Sequence, residues 1–131
     1  MNEQKHEINQ ILSLAYENHR KNNIKLAENL YNKVLKIDAN HPEAIYLLGT
    51  LFLQKRNNLD AIKLFNKVLK INPNHINAQH NLGYAFIEIG KHLEAKNILH
   101  KVIETNPNHV DAYYNLGNIY KYFGEPGKAE K

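Results

Sequence analysis

The motif NPNH fills residues 72–75 and 106–109, and a near copy, DANH, fills 38–41, so that a histidine returns at a fixed interval, 75 − 41 = 34 and 109 − 75 = 34. A period of this length constrains the fold before any other property does. Each period must be one supersecondary unit that cannot bury its apolar side alone and so stacks on its neighbours. With this phase the chain divides into a lead-in at 1–7, units at 8–41, 42–75 and 76–109, and an incomplete unit at 110–131.

Superposing the units shows what recurs. The seventh slot holds Leu14, Leu48, Leu82 and Leu116, and the eighth holds Ala15, Gly49, Gly83 and Gly117. The twentieth is Ala27, Ala61, Ala95 and Ala129; Tyr31, Phe65 and Leu99 follow four residues later, then Val34, Val68 and Val102. Within a unit the apolar spacing is helical in two stretches, as in AIYLLGTLFLQ and AIKLFNKVLKI. Each unit therefore reads as two amphipathic helices of about 14 residues. Gly90 and Gly124 end first helices, and Pro73 and Pro107 follow second ones. The small residues at Gly49, Gly83, Ala61 and Ala95 let paired helices approach closely, with large Tyr or Phe side chains filling the holes between neighbouring pairs.

On these residues the chain resembles tetratricopeptide repeats. The family pattern is met by NLGYAF, Ala95, Leu99 and Pro107 in the third unit, and by Tyr113, NLGNIY and Ala129 in the fourth. The likeness covers residues 8–131. The first unit departs most, with Ala15 for Gly, Asn18 for the aromatic and Ala39 for Pro, as a solvent-facing cap would.

The resemblance implies an all-α fold, a right-handed α-solenoid of antiparallel helix pairs, whose first helices line a concave face where partners bind. The inward slots include Leu12, His19 and Gln54, and the expected peptide-binding residues are Tyr46 and Thr50 in the second unit, Asn77, His80, Asn81 and Tyr84 in the third, and Asp111, Tyr114, Asn115 and Asn118 in the fourth. This surface is amide and aromatic: Asn can pair with any peptide backbone and Tyr offers stacking area with a polar tip. Asn81 and Asn115 share a slot, which resembles the asparagine-lined superhelix of O-linked N-acetylglucosamine transferases; an exposed polar face of an Asn-rich chain gives the same residues. Repeats that clamp a chaperone's terminal carboxylate carry Lys or Arg where this chain has Leu12, Asn77 and Asn81, so that clamp is not expected.

Other function classes find little support. The chain has no Cys, which removes disulfides, thiolate zinc sites and a cysteine nucleophile. Its 17 Lys+Arg against 13 Asp+Glu give a net charge of +4, a mild bias that falls short of a nucleic-acid patch. Lys33, Lys67 and Lys101 share a slot on the second helices and read as a solvated face. No apolar run approaches the ~18 residues of a membrane span, and the N-terminus lacks a signal-peptide core, so a cytoplasmic protein is expected. Acids are scattered and no glycine loop could cradle a phosphate, so neither catalysis nor a cofactor is expected. His41, His75 and His109 lie too far apart along stacked units to share a metal; these histidines, or Asn40, Asn74 and Asn108, cap the helices that follow.

The fourth unit stops at Lys131, soon after its second helix would begin at EPGKAEK. Tyr113, Leu116, Tyr120 and Phe123 are then expected to lack cover, which suits the N-terminal part of a longer protein, or pairing of the bare end with another copy. The function expected is a protein-interaction module that takes extended peptide segments. The alternative is a substrate-docking arm of a larger enzyme such as a glycosyltransferase.

Overall fold

A computed structural model describes residues 2–124. Among them run seven α-helices: α1 (Asn2–Arg20), α2 (Ile24–Ile37), α3 (Pro42–Gln54), α4 (Asn58–Ile71), α5 (Ile76–Glu88), α6 (His92–Thr105) and α7 (Val110–Tyr122). The second helix expected within EPGKAEK, with Ala129, lies outside the described residues. The lead-in is helical from Asn2, which makes α1 19 residues long where the other helices have 13 or 14. The chain divides into two compact units, Met1–Asn72 and Pro73–Lys131.

The first unit holds α1–α4 and packs α1 on α2, α2 on α3, and α3 on α4. Tyr31 and Val34 of α2 are wholly buried in a cluster with Ile8, Leu12 and Ala15 of α1 and Ala44, Leu48 and Leu51 of α3. Burying side chains of this size contributes roughly 1.5–3 kcal/mol each. The third, seventh and tenth slots of α3 thus face the preceding pair. In α1 those slots are Gln10, Leu14 and Glu17; Leu14 is 49% exposed where Leu48 is 3%, because no described helix lies against that side.

In the second unit α5 packs on α6 and α6 on α7. Ala95, Leu99 and Val102 of α6 bury against Ala112, Leu116 and Ile119 of α7. Leu116, expected to lack cover, is only 4% exposed because the preceding pair already seats it. Tyr120 is half-buried and bonds His100 Nε2 through its hydroxyl at 3.0 Å, while Tyr113 and Phe123 are exposed.

Close approach is strongest inside each pair. A Cβ on Gly49 would lie 2.7 Å from the Phe65 ring, and one on Gly83 would lie 2.8 Å from Leu99. The large side chain of a second helix therefore rests on the glycine of its own partner and also packs against the following first helix, as Leu99 does on α7.

Helix ends repeat as strictly as helix cores. After α1, α3 and α5 the chain makes the same pair of bonds: Asn22 N–H to His19 O and Asn23 N–H to Asn18 O, then Arg56 to Leu53 and Asn57 to Phe52, then Gly90 to Ile87 and Lys91 to Phe86. This is the Schellman arrangement, which needs a left-handed residue just past the helix. Asn22, Arg56 and Gly90 supply it with φ of 67°, 65° and 82°.

Candidate functional site

The helix starts settle which residues cap. Nδ1 of His41 accepts from the Ala44 N–H at 3.2 Å, that of His75 from Ala78 at 3.0 Å, and that of His109 from Ala112 at 3.1 Å. Each histidine satisfies one backbone donor that the first turn leaves without a partner. The asparagines before them are not the caps: Asn108, for one, gives its N–H to Asn106 Oδ1 in the preceding turn. Pro42 follows His41 as the first residue of α3, where a missing N–H costs nothing.

In the second unit, α5 and α7 touch one another and carry eight of the ten expected site residues. Asn77, His80, Asn81 and Tyr84 fall at i, i+3, i+4 and i+7 of α5, and Asp111, Tyr114, Asn115 and Asn118 fall likewise on α7, so each set shares a helix face. Asn77, Tyr84, Asp111, Tyr114 and Asn118 are exposed, Tyr114 to 71%. His80, Asn81 and Asn115 are half-buried, and these the structure brings together. The Asn115 amide donates to His80 Nε2 at 3.2 Å, and the Asn81 side chain also bonds His80. The His109 ring lies 4.7 Å from that of His80, centroid to centroid, at 39°.

His80 holds a proton less readily than an ordinary histidine. Burial is the main cause, His109 adds to it, and Asp111 and the bond with Asn81 oppose it. His109 was the residue that the sequence treated as a register mark. Its capping role is of that kind, but the fold also sets it against His80.

Tyr46 and Thr50 belong to α3 in the first unit. Both are half-buried; the Tyr46 ring tilts against Phe65 at 6.0 Å, and the Thr50 hydroxyl donates to Leu47 O at 2.7 Å. Leu12, read as an inward slot, is a correction. It is 6% exposed in the α1–α3 core, with Leu47 packed against that cluster, because the face of one first helix is partly covered by the next. The same two slots are His80 and Asn115 in the second unit, where the covering contact is polar.

The first unit also holds a chain of bonds that sequence reasoning missed. Tyr31 is fully buried, and burial first, then the charges of Tyr16 and Glu43, raises its phenol well above the usual range, so that it stays protonated. Its hydroxyl meets His19 Nδ1 at 3.0 Å, His19 Nε2 meets Gln54 Oε1 at 3.0 Å, and Gln54 Nε2 donates to Asn22 Oδ1 at 3.1 Å. As Gln54 Oε1 can only accept, His19 carries its proton on Nε2 and accepts from Tyr31. The available signal was Tyr31 itself, whose hydroxyl the Phe65 and Leu99 of the same slot lack.

What such surfaces offer is amide donors and acceptors, phenol rings and one carboxylate. Among the described residues no three His, Asp or Glu side chains could hold a metal ion, and no helix is long and apolar enough to cross a membrane.

Comparison with known proteins agrees with the repeat. The family model described as anaphase-promoting complex, cyclosome, subunit 3 matches residues 20–102, and that described as tetratricopeptide repeat matches 100–131. No curated protein matches the chain. Among solved structures, MamA is 29% identical with a TM-score of 0.88 over 98% of this chain and 69% of its own. The first TPR of Spaghetti (RPAP3), bound to the HSP90 peptide SRMEEVD, is 19% identical with a TM-score of 0.85 over 89% of this chain and 93% of its own. A mutant O-GlcNAc transferase of Thermobaculum terrenum is 26% identical with a TM-score of 0.84 over 91% of this chain, which spans 23% of the transferase. Fixed period, repeated caps, glycine-seated helix pairs and family match agree: the chain belongs to the tetratricopeptide-repeat family.

Proposed function

We propose that this chain is a non-enzymatic interaction module that holds extended peptide segments of partner proteins on the exposed face of its first helices. The observation that carries this reading is the α5–α7 face, where exposed Asn77, Tyr84, Tyr114 and Asn118 flank half-buried Asn81 and Asn115. Amides that both donate and accept can read a peptide backbone whatever its sequence, and tyrosines add stacking area at small entropic cost. Support comes from the RPAP3 repeat domain, which holds a peptide. The segment taken here differs from that acidic peptide, because Leu12 is buried and Asn77 and Asn81 bring no cation for a carboxylate.

The test is selection from a random dodecapeptide display library, followed by fluorescence polarisation with the selected peptide. Asn81→Ala with Asn115→Ala is expected to weaken binding about thirtyfold, as two hydrogen bonds of ~1 kcal/mol each would. Lys67→Ala with Lys101→Ala should leave it unchanged, and circular dichroism checks that the helices persist. If only the lysine pair mattered, the binding face would be misassigned.

A second reading, a docking arm that presents substrates to a catalytic domain, draws on the transferase likeness over 91% of this chain. The coding sequence that follows Lys131 discriminates, since a catalytic domain there favours the arm.

A further inference from the structure

The capping bond at α7 and the histidine pair beside it point to regulation of the same face, and this step rests on the peptide-binding reading above. Both rings are used as acceptors: His109 Nδ1 takes the Ala112 N–H at 3.1 Å, and His80 Nε2 takes the Asn115 amide at 3.2 Å. An imidazolium has two N–H donors and no lone pair, so it can fill neither role. The two bonds differ in what protonation does to them. Asn115 can turn its amide and offer its oxygen to a protonated His80, whereas a backbone N–H cannot become an acceptor. A protonated His109 therefore loses the cap, and its charge then sits at the positive end of the α7 dipole.

We propose that His109, set against His80, is a proton-operated latch on the α5–α7 face: neutral rings hold the first turn of α7, and acidification opens that turn and weakens peptide binding. The charged or titratable groups that face His80 are His109 and Asp111, and the pair sits 4.7 Å apart, so that two protonated rings repel. Asp111 opposes this repulsion and favours the proton on His80, which moves its protonation toward higher pH. The sign follows from burial. The folded protein disfavours the proton on His80, so the unfolded chain takes it up first, near the ordinary value of 6.5. The stability that the neutral ring contributes is present above that value and is lost progressively as pH falls below it toward the lower value of the folded ring. The latch acts on the site because Asp111, Tyr114 and Asn115 lie in the first two turns of α7, directly after the cap.

The experiment uses the whole chain and has two readouts. Amide hydrogen exchange at Ala112, corrected for the intrinsic pH effect, is compared at about pH 7.5 and about pH 5, on either side of histidine titration. Binding of the dodecapeptide selected at neutral pH is measured at both. We expect Ala112 protection and peptide affinity each to fall about fivefold on acidification, the size of a lost cap. His109→Asn, which caps without titrating, should keep both at the neutral level. Unchanged Ala112 protection in the wild type overturns the latch, and so does pH dependence that survives in His109→Asn. If Ala112 opens while the peptide binds equally well, the latch does not regulate the site, and the peptide-binding reading stands. If no peptide binds through α5 and α7 at either pH, that reading fails and regulation of it fails too, while the Ala112 readout still decides whether the turn opens.

Discussion

At the scale of a residue, one backbone position is filled by three kinds of side chain at unequal cost. Asn22, Arg56, Gly90 and Gly124 all have positive φ, 34 residues apart in turn. Glycine takes this conformation freely and asparagine tolerates it, but an L side chain such as Arg56 loses roughly 1–2 kcal/mol there. Glycine costs about 0.5–1 kcal/mol more chain entropy in the unfolded state, so Arg56→Gly is expected to stabilise by about 0.5–1 kcal/mol net. The converse, Gly90→Ala, should lose a similar amount; nothing lies within 4 Å of an added Cβ, so the loss is conformational and not steric. Urea unfolding of the variants measures both, and a Gly90→Ala protein as stable as the parent would mean that the turn relaxes out of the left-handed region. The sequence showed the turn only where glycine marks it, at Gly90 and Gly124; Arg56 carries no local sign of φ and shows itself only through the period.

At the scale of an element, the joint between α1, α2 and α3 replaces an apolar contact with a polar chain. The slots that hold Leu53 with Phe65 in the repeat at 42–75, and Ile87 with Leu99 in that at 76–109, hold His19 with Tyr31 in that at 8–41. Tyr31 is fully buried, so its hydroxyl depends on His19, and His19 in turn depends on Gln54. Removing either end leaves a shielded polar atom unpaired, which costs about 1–3 kcal/mol. Tyr31→Phe and His19→Leu should therefore each destabilise by about 1–2 kcal/mol. The double variant restores the pattern of Leu53 with Phe65 and should recover most of the loss, giving a coupling of about 2 kcal/mol in a double-mutant cycle read by thermal or urea unfolding. Additive losses would show that the two side chains act separately. Sequence slots placed His19 and Gln54 on one face, and the two side chains do meet, but spacing does not say how much the next helix covers. Leu12 illustrates the same gap, since its slot faces inward and its depth comes from α3.

For the whole molecule, the fold was legible because the repeats at 42–75 and 76–109 solve the same packing problem, with histidine cap, small eighth slot, twentieth alanine and large residue four places on. Recurrence turned weak local signals into one strong one. The proposed binding face was less legible, because the polar partners His80, Asn115 and His109 come from two helices and a turn that only the folded unit brings together. A chain whose core is assembled pair by pair should also lose stability locally, as a sum of pair and neighbour terms rather than as one indivisible core. Leu99 tests this, since it is wholly buried on α6, rests on Gly83 of α5 and shares a cluster with Leu116 and Ile119 of α7. Leu99→Ala is expected to cost about 2–4 kcal/mol through the cavity it leaves. In native-state hydrogen exchange the loss of protection should be largest in α5, α6 and α7 and should decline toward α1, whose contacts with α2 and α3 the substitution does not touch. Equal loss in all seven helices would show a single cooperative core, and the repeats would then be a pattern of sequence without being units of stability.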